Sequence, residues 1–182
     1  MIISIAFLIT ASSQVFDSAI TDTLMEEMQK HGPAVQPGSD VKELVSEADS
    51  TISVCLKNGL VHPGYDTVLF AIGRHPATSG IGLEECGVQM EKGFIKVDEY
   101  ECTNIPGLYA LGDATTSGWE LTPVAIAAGR RLADRLYGGE PLARMVYSDV
   151  PTVIFSHPVI GQVGYTEAAA LKKSLVLRIS VC

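Results

Sequence analysis

The chain is poor in positive charge, in aromatic residues and in long apolar runs. Its 13 Lys and Arg stand against 21 Asp and Glu, a formal charge of −8. That balance argues against a phosphate-backbone binder, whose surface is usually basic, and no nucleic-acid partner is expected. Four cysteines occur, Cys55, Cys86, Cys102 and Cys182, and no two are spaced as C-x-x-C. Neither a zinc site nor a local redox pair is signalled, so the thiols read as reduced and mostly buried. No apolar stretch reaches the ~20 residues that span a bilayer, and no membrane partner is expected. A G-x-G-x-x-G turn is also missing, since GIGLEECG (Gly80–Gly87) has the wrong spacing and no strand before it. There is no internal repeat.

What is present is globular in character. Of the 182 residues, 47% are hydrophobic and 19% charged, enough for one ordinary domain or pieces of two. The start, MIISIAFLITASSQ, has two readings. As a secretion signal, Ile2–Ile9 is the apolar core and Ala11–Ser13 the cleavage region, but no Lys or Arg precedes it. As a β-branched run it is a buried strand, the reading we favour, and the chain is expected to be cytoplasmic.

Ser18–Lys30 carries Ile20, Leu24 and Met28 at four-residue spacing with Asp22, Glu26, Glu27 and Lys30 on other faces, which predicts an amphipathic helix closed by Gly32-Pro33. Val41–Leu44 and Thr51–Leu56 read as strands, with Asn58-Gly59 turning out of the second. Asp66–Ile72 (DTVLFAI) is an apolar run of the kind buried on both faces in parallel sheets. His75–Gly80 is a first junction, and Leu83–Val88 and Phe94–Val97 are short elements. Tyr109–Leu111 reads as another buried strand and Thr122–Tyr137 as a helix, ended by Gly138-Gly139-Glu140-Pro141. Thr152–Phe155 and Gln162–Tyr165 are strands joined by a His157-Pro158 turn, and Thr166–Lys173 begins a helix.

One segment suggests chemistry. The strand at Tyr109–Leu111 delivers Gly112 and Asp113 into a loop, placing a carboxylate at the carboxyl edge of a sheet, where open α/β folds bind ligands. Gly112 lets backbone approach a ligand closely, and Asp113 can accept hydrogen bonds from sugar-like hydroxyls. Thr122-Pro123 predicts a helix start with Thr122 as N-cap, its dipole and free N–H groups favouring an anion or a polarised carbonyl. Taken locally, a ligand-free capped turn explains the pattern equally well.

Longer strings are more specific. TNIPGLYALGD (Thr103–Asp113) with ELTPVAIAAGR (Glu120–Arg130) resembles the second flavin-binding motif of the FAD-dependent pyridine nucleotide-disulfide oxidoreductases. DTVLFAIGRHP (Asp66–Pro76) is similar to the family's return from the NADPH-binding to the FAD-binding domain, and VPTVIFSHPVIGQVGYTE (Val150–Glu167) to the opening of its interface domain. AIAAGR with FSHPVIG looks most like the glutathione reductases, the large thioredoxin reductases being the alternative.

The resemblance implies an α/β fold: partial nucleotide-binding (Rossmann-like) FAD/NAD(P) domains followed by the start of an α+β dimerisation domain. Residues 1–75 would be the C-terminal part of the NAD(P)H-binding domain, 76–146 the returning segment of the FAD domain and 147–182 the start of the interface domain. It implies FAD held by Gly112, Asp113, Leu121 and Thr122, and NADPH lined by Gly73, Glu120 and the backbone at Val153. Arg130 would meet a carboxylate of glutathione disulfide, a task suited to its guanidinium fork. The family's dimer implies a second copy or a full-length relative as partner.

The chain departs from the family where the chemistry is done. Its redox cysteine pair has no counterpart among the four cysteines, and Gln14 stands where basic residues usually grip the 2′-phosphate. His157 lies in the context of the interface domain's opening, not of the catalytic His-Pro, and is read as structural. No residue is assigned a catalytic role. The expectation is a truncated glutathione reductase-like chain that does not turn over alone, or a non-catalytic fragment that pairs with a full-length reductase.

Overall fold

The computed structural model describes residues 16–173 and the backbone of Ser4–Phe7. Two compact units divide the chain: Met1–Ile72 with Pro151–Cys182, and Gly73–Val150.

In the first unit, strand β1 (Ser4–Phe7), helix α1 (Ser18–His31) and strand β2 (Ala34–Pro37) form a βαβ element. Its strands run parallel, Ser4 opposite Ala34 and Phe7 opposite Pro37. This is the building block of a Rossmann-like α/β fold. The favoured strand reading of the apolar start therefore holds for Ser4–Phe7; Ala11–Ser13 and Gln14 lie outside the described residues. Helix α1 ends at Gly32, whose amide makes the last helical bond, to the Met28 carbonyl at 2.8 Å, and whose backbone then turns extended. A Cβ on Gly32 would stand 2.7 Å from that oxygen, so glycine is needed for space.

Strands β3 (Val41–Ser46), β4 (Ile52–Leu56) and β5 (Val61–Tyr65) make an antiparallel meander with β4 central. Burial follows that order, with Ser53, Val54 and Leu56 of β4 all buried. Gly59 turns into β5 at φ +91°, and the Asn58 side chain accepts from the Leu60 amide at 3.0 Å.

Strand β5 does not read as a strand from sequence because it contains Pro63 and Gly64. It tolerates them as an edge strand. The run Asp66–Ile72 corrects the sequence reading in the opposite direction. It pairs with no strand among the described residues, and Leu69 and Ile72 are 87% and 82% exposed. Apolar content shows what a segment gains by burial, but burial also needs sheet neighbours.

The same unit contains β8 (Thr152–Ile154) and β9 (Ile160–Gln162), antiparallel across the His157-Pro158 turn. The second strand begins two residues earlier than its sequence pattern suggests. Helix α3 (Glu167–Lys172) is capped by the Thr166 hydroxyl, which accepts from the Ala169 amide at 3.2 Å. The Glu167 amide donates to the Asp17 carboxylate at 2.8 Å, tying α3 to the start of α1.

The Gly73–Val150 unit is built on the hairpin β6 (Met90–Glu91) and β7 (Phe94–Ile95) and on helix α2 (Thr122–Tyr137). Val88, Ile95, Val124, Ala128 and Val150 are its buried apolar residues. Tyr109–Leu111, read above as a buried strand, is extended but only half-buried, and a single bridge from Tyr109 to Cys102 is its ladder contact. It leads into a 3₁₀ turn at Gly112–Ala114.

Candidate functional site

The Gly112 turn and the start of α2 form the site together, both within the Gly73–Val150 unit. Gly112 takes φ +75°, a left-handed backbone that side-chain-bearing residues adopt at a cost. A Cβ there would also lie 3.1 Å from the Ala125 Cβ, so the turn sits directly against the helix. Ala125, Ala128 and Gly129 supply the small-residue face that allows it.

Two groups are left available by this arrangement. Asp113 is exposed, and its carboxylate has no hydrogen-bond or ion-pair partner among the described residues. At the helix start the cap is Leu121, not Thr122 as the sequence suggested. The Leu121 carbonyl accepts the amides of Val124 and Ala125, both at 3.0 Å, while Thr122 and Pro123 form the first turn. No side chain caps the helix. Pro123 has no N–H, so the Thr122 amide is the donor that this first turn offers outward.

Beside the Asp113 turn lies a recess of about 90 Å³, lined by Phe94, Gly112, Asp113, Thr115, Ser117, Gly118, Trp119 and Glu120, the last of these two residues before Thr122. Ligand sites that enclose a whole small molecule are several times larger, ~300–1,000 Å³. The recess has room for one edge of a ligand. An acceptor for hydroxyls in the recess, and an amide donor with a positive dipole end at the helix start that follows it in the chain, suit a polyol chain joined to a polarised carbonyl. By that test the residues suit the sugar-like and ring portions of a flavin cofactor.

The other sequence-predicted residues are placed less closely. Glu120 lines the recess and is exposed. Gly73 adopts φ +125° with open space where a Cβ would stand. Val153 belongs to β8 of the other unit and is 44% exposed. Arg130 is on the exposed side of α2, a little over two turns (~12 Å) from Thr122, and has no acidic partner among the described residues.

Sequence reasoning missed a second cluster in the same unit. Glu101 is 2% exposed, takes φ +61°, and accepts a hydrogen bond from the Tyr147 hydroxyl at 2.5 Å. Its other carboxylate oxygen is buried without a partner. Burial raises the Glu101 pKa above the ordinary glutamate value; the Tyr147 hydrogen bond opposes that shift, nearby Asp98 reinforces it and Arg135 opposes it. The Tyr147 hydroxyl is pushed up as well, by burial and then by Glu101. Arg135 of α2 bonds the Tyr100 carbonyl and lies over the rings of Tyr100 and Tyr109, at 5.4 and 5.6 Å from their centroids. Because the Glu101 carbonyl accepts the Ala110 amide at 3.1 Å, this cluster fixes the segment leading to Asp113. One acid of three in DEYECTN gives no sequence signal of burial.

Helix start, glycine turn and free carboxylate are the parts of an α/β ligand site, and comparison with known proteins gives its class: the chain belongs to the pyridine nucleotide-disulphide oxidoreductase family, whose model matches residues 5–129. More particularly, it is 41% identical over 160 residues to glutathione reductase of Schizosaccharomyces pombe, covering 87% of this chain and 34% of that protein. It is 38% identical over 162 residues to glutathione reductase of Yarrowia lipolytica, covering 86% and 34%. The chain thus spans about a third of the length of the curated relatives it matches.

Among solved structures, LpdA of Mycobacterium tuberculosis superposes with a TM-score of 0.75 at 27% identity, over 87% of this chain and 34% of that one. A copper(II) complex of a mutant of the HOCl-induced flavoprotein disulfide reductase RclA of Escherichia coli shares the fold. It superposes with a TM-score of 0.82 at 24% identity, over 94% and 38% of the two chains.

Proposed function

We propose that this chain carries the flavin-facing return segment of a glutathione reductase-type flavoenzyme, one that uses NADPH and FAD to reduce glutathione disulfide. Supporting this is the unpartnered Asp113 carboxylate in one small recess, with the free Thr122 amide at the helix start that follows it in the chain. Asp113 accepts from the polyol hydroxyls of the cofactor, Gly112 lets that chain approach the backbone, and Leu121 and Thr122 present the helix start to a ring carbonyl. FAD, when bound, relays electrons from NADPH to a disulfide. Gly73, Glu120 and Val153 are assigned to the NADPH side and Arg130 to a glutathione carboxylate. Residues 1–75, 76–146 and 147–182 correspond to the NAD(P)H, FAD and dimerisation domains respectively.

With no closely spaced cysteine pair among its 182 residues, the chain does not reduce a disulfide unaided. Purified chain supplied with FAD, NADPH and glutathione disulfide is expected to show no disulfide-dependent NADPH oxidation; such oxidation would refute that part of the reading. FAD itself is expected to bind weakly, quenching the emission of Trp119, the single tryptophan, which lines the recess. Asp113→Asn should weaken that binding about tenfold, the equivalent of one charge-assisted hydrogen bond. Equal quenching in both proteins, or none in either, removes Asp113 from the flavin site.

Exposed apolar residues favour a second reading, a fragment that pairs with a full-length reductase. Leu69 and Ile72 of the unpaired run and Phe155 after β8 are each more than four-fifths exposed, at 87%, 82% and 85%. Co-expression with a full-length glutathione reductase, then size exclusion, tests it: comigration supports pairing, and separate elution counts against it.

A further inference from the structure

One residue at the recess is buried, polar and absent from the motif reading. Thr115 is 2% exposed, and its hydroxyl donates to the Gly112 carbonyl at 2.8 Å. Its own amide donates to the same carbonyl at 3.1 Å. The hydroxyl also accepts from the Ser117 amide at 3.4 Å, and the Ser117 hydroxyl in turn accepts a long bond from the Trp119 amide at 3.5 Å. On the other side the Thr115 backbone bridges to Ile95 of β7, whose carbonyl accepts the Thr116 amide at 3.1 Å. Asp113 lies inside the loop that these bonds close.

We propose that Thr115 is a positioning residue for flavin binding: its buried hydroxyl closes the Gly112 turn, which the neighbouring backbone joins to β7, and holds the Asp113 carboxylate in its binding orientation. This rests on the proposed flavin site. The geometry favours positioning over direct contact because both hydrogen-bonding roles of the hydroxyl are already taken within the loop. An exposed carboxylate with no partner of its own keeps a fixed direction only if its backbone is held, and here the hydroxyl ties both flanks of Asp113 together. The Ser117 and Trp119 steps extend that order along the loop that precedes Leu121.

Three variants of the full chain test this. Thr115→Val keeps the shape and loses the hydroxyl, Thr115→Ser keeps the hydroxyl, and Asp113→Asn removes the contact being positioned. In FAD titrations followed by Trp119 quenching, Thr115→Val is expected to bind about tenfold more weakly, with Thr115→Ser close to wild type. Adding Thr115→Val to Asp113→Asn should weaken binding no further, because the group it positions is already altered. Fully additive losses, or wild-type affinity in Thr115→Val, overturn the proposal while leaving the flavin site in place.

A second readout needs no flavin. In the free chain, exchange of the Thr115 and Ser117 amides should accelerate at least tenfold in Thr115→Val and hardly at all in Thr115→Ser. Unchanged exchange overturns the positioning role. If wild-type chain shows no FAD-dependent quenching, the flavin reading fails, and amide exchange alone then decides whether Thr115 orders the turn.

Discussion

Gly112 is the position at which backbone and packing both resist a side chain, so Gly112→Ala gives the most direct test of the site's architecture. Two effects add. A left-handed backbone disfavours alanine by about 1–2 kcal/mol. The new methyl would stand 3.1 Å from the Ala125 Cβ, inside the ~3.5–4.0 Å at which carbons attract, and overpacking of this kind destabilises by about 1–3 kcal/mol. Reduced freedom of the unfolded chain returns about 0.4–1 kcal/mol. The net expectation is about 2 kcal/mol. For a unit of this size each kcal/mol lowers the melting temperature by about 4–8 °C, so a fall of roughly 10 °C is expected. Trp119 is the only tryptophan and lies in this unit, which makes a fluorescence-monitored melt specific to it. Ala125→Gly removes the opposing methyl and alone loses about 1 kcal/mol of helix propensity. Combined with Gly112→Ala it should recover the contact part, a coupling of about 1 kcal/mol. A Gly112→Ala melt within about 2 °C of wild type would refute the close approach. Zero coupling would assign the whole effect to the backbone.

Two further outcomes are expected. Glu101 has its folded pKa raised above the ordinary value of 4.5, so its contribution to stability is fully present below that pH and is lost as pH rises through the raised value. Glu101→Gln keeps an acceptor for Tyr147 without the buried charge. Its melting temperature should exceed that of wild type by a margin growing between pH 4 and pH 8; a gap independent of pH would contradict the assignment. In the other unit, Thr166→Ala removes the cap of α3 and should destabilise that helix by about 1 kcal/mol, seen as faster amide exchange at Ala169 and Ala170. Unaltered exchange there would show that the hydroxyl does not hold the helix.

The helices were legible because their signals are local. Ile20, Leu24 and Met28 mark one face of α1, and the glycines at 32 and 138 close α1 and α2 where the structure closes them. Asp113 and the helix start were legible for the same reason, being a short string with fixed spacing. Elements whose state depends on distant partners were not. DTVLFAI has the composition of a buried parallel strand, yet no described strand lies beside it and its apolar side chains stay exposed. VHPGY has poor strand composition, yet β4 offers it an edge to pair with. Thr122 was misplaced as the cap because Thr-Pro is a strong local signal that the backbone here shifts by one residue. Glu101 and Thr115 were invisible for a different reason: burial of a single polar side chain is decided by Tyr147 and by β7, far away in sequence.

The charges around the recess limit which part of a dinucleotide it can take. Two of its lining residues, Asp113 and Glu120, are acidic, and none is Lys or Arg. A pyrophosphate placed there would meet two carboxylates of like sign, and the single free helix amide could not offset them; like charges this close repel, and more strongly where protein excludes water. A neutral polyol meets the reverse situation, since each hydroxyl can donate to Asp113 without carrying charge into the site. A ring carbonyl would be favoured instead at the positive end of α2, where the Thr122 amide is free. The same chemistry would let the chain hold the proposed cofactor despite its net charge of −8, since Asp113 would take only the uncharged hydroxyls.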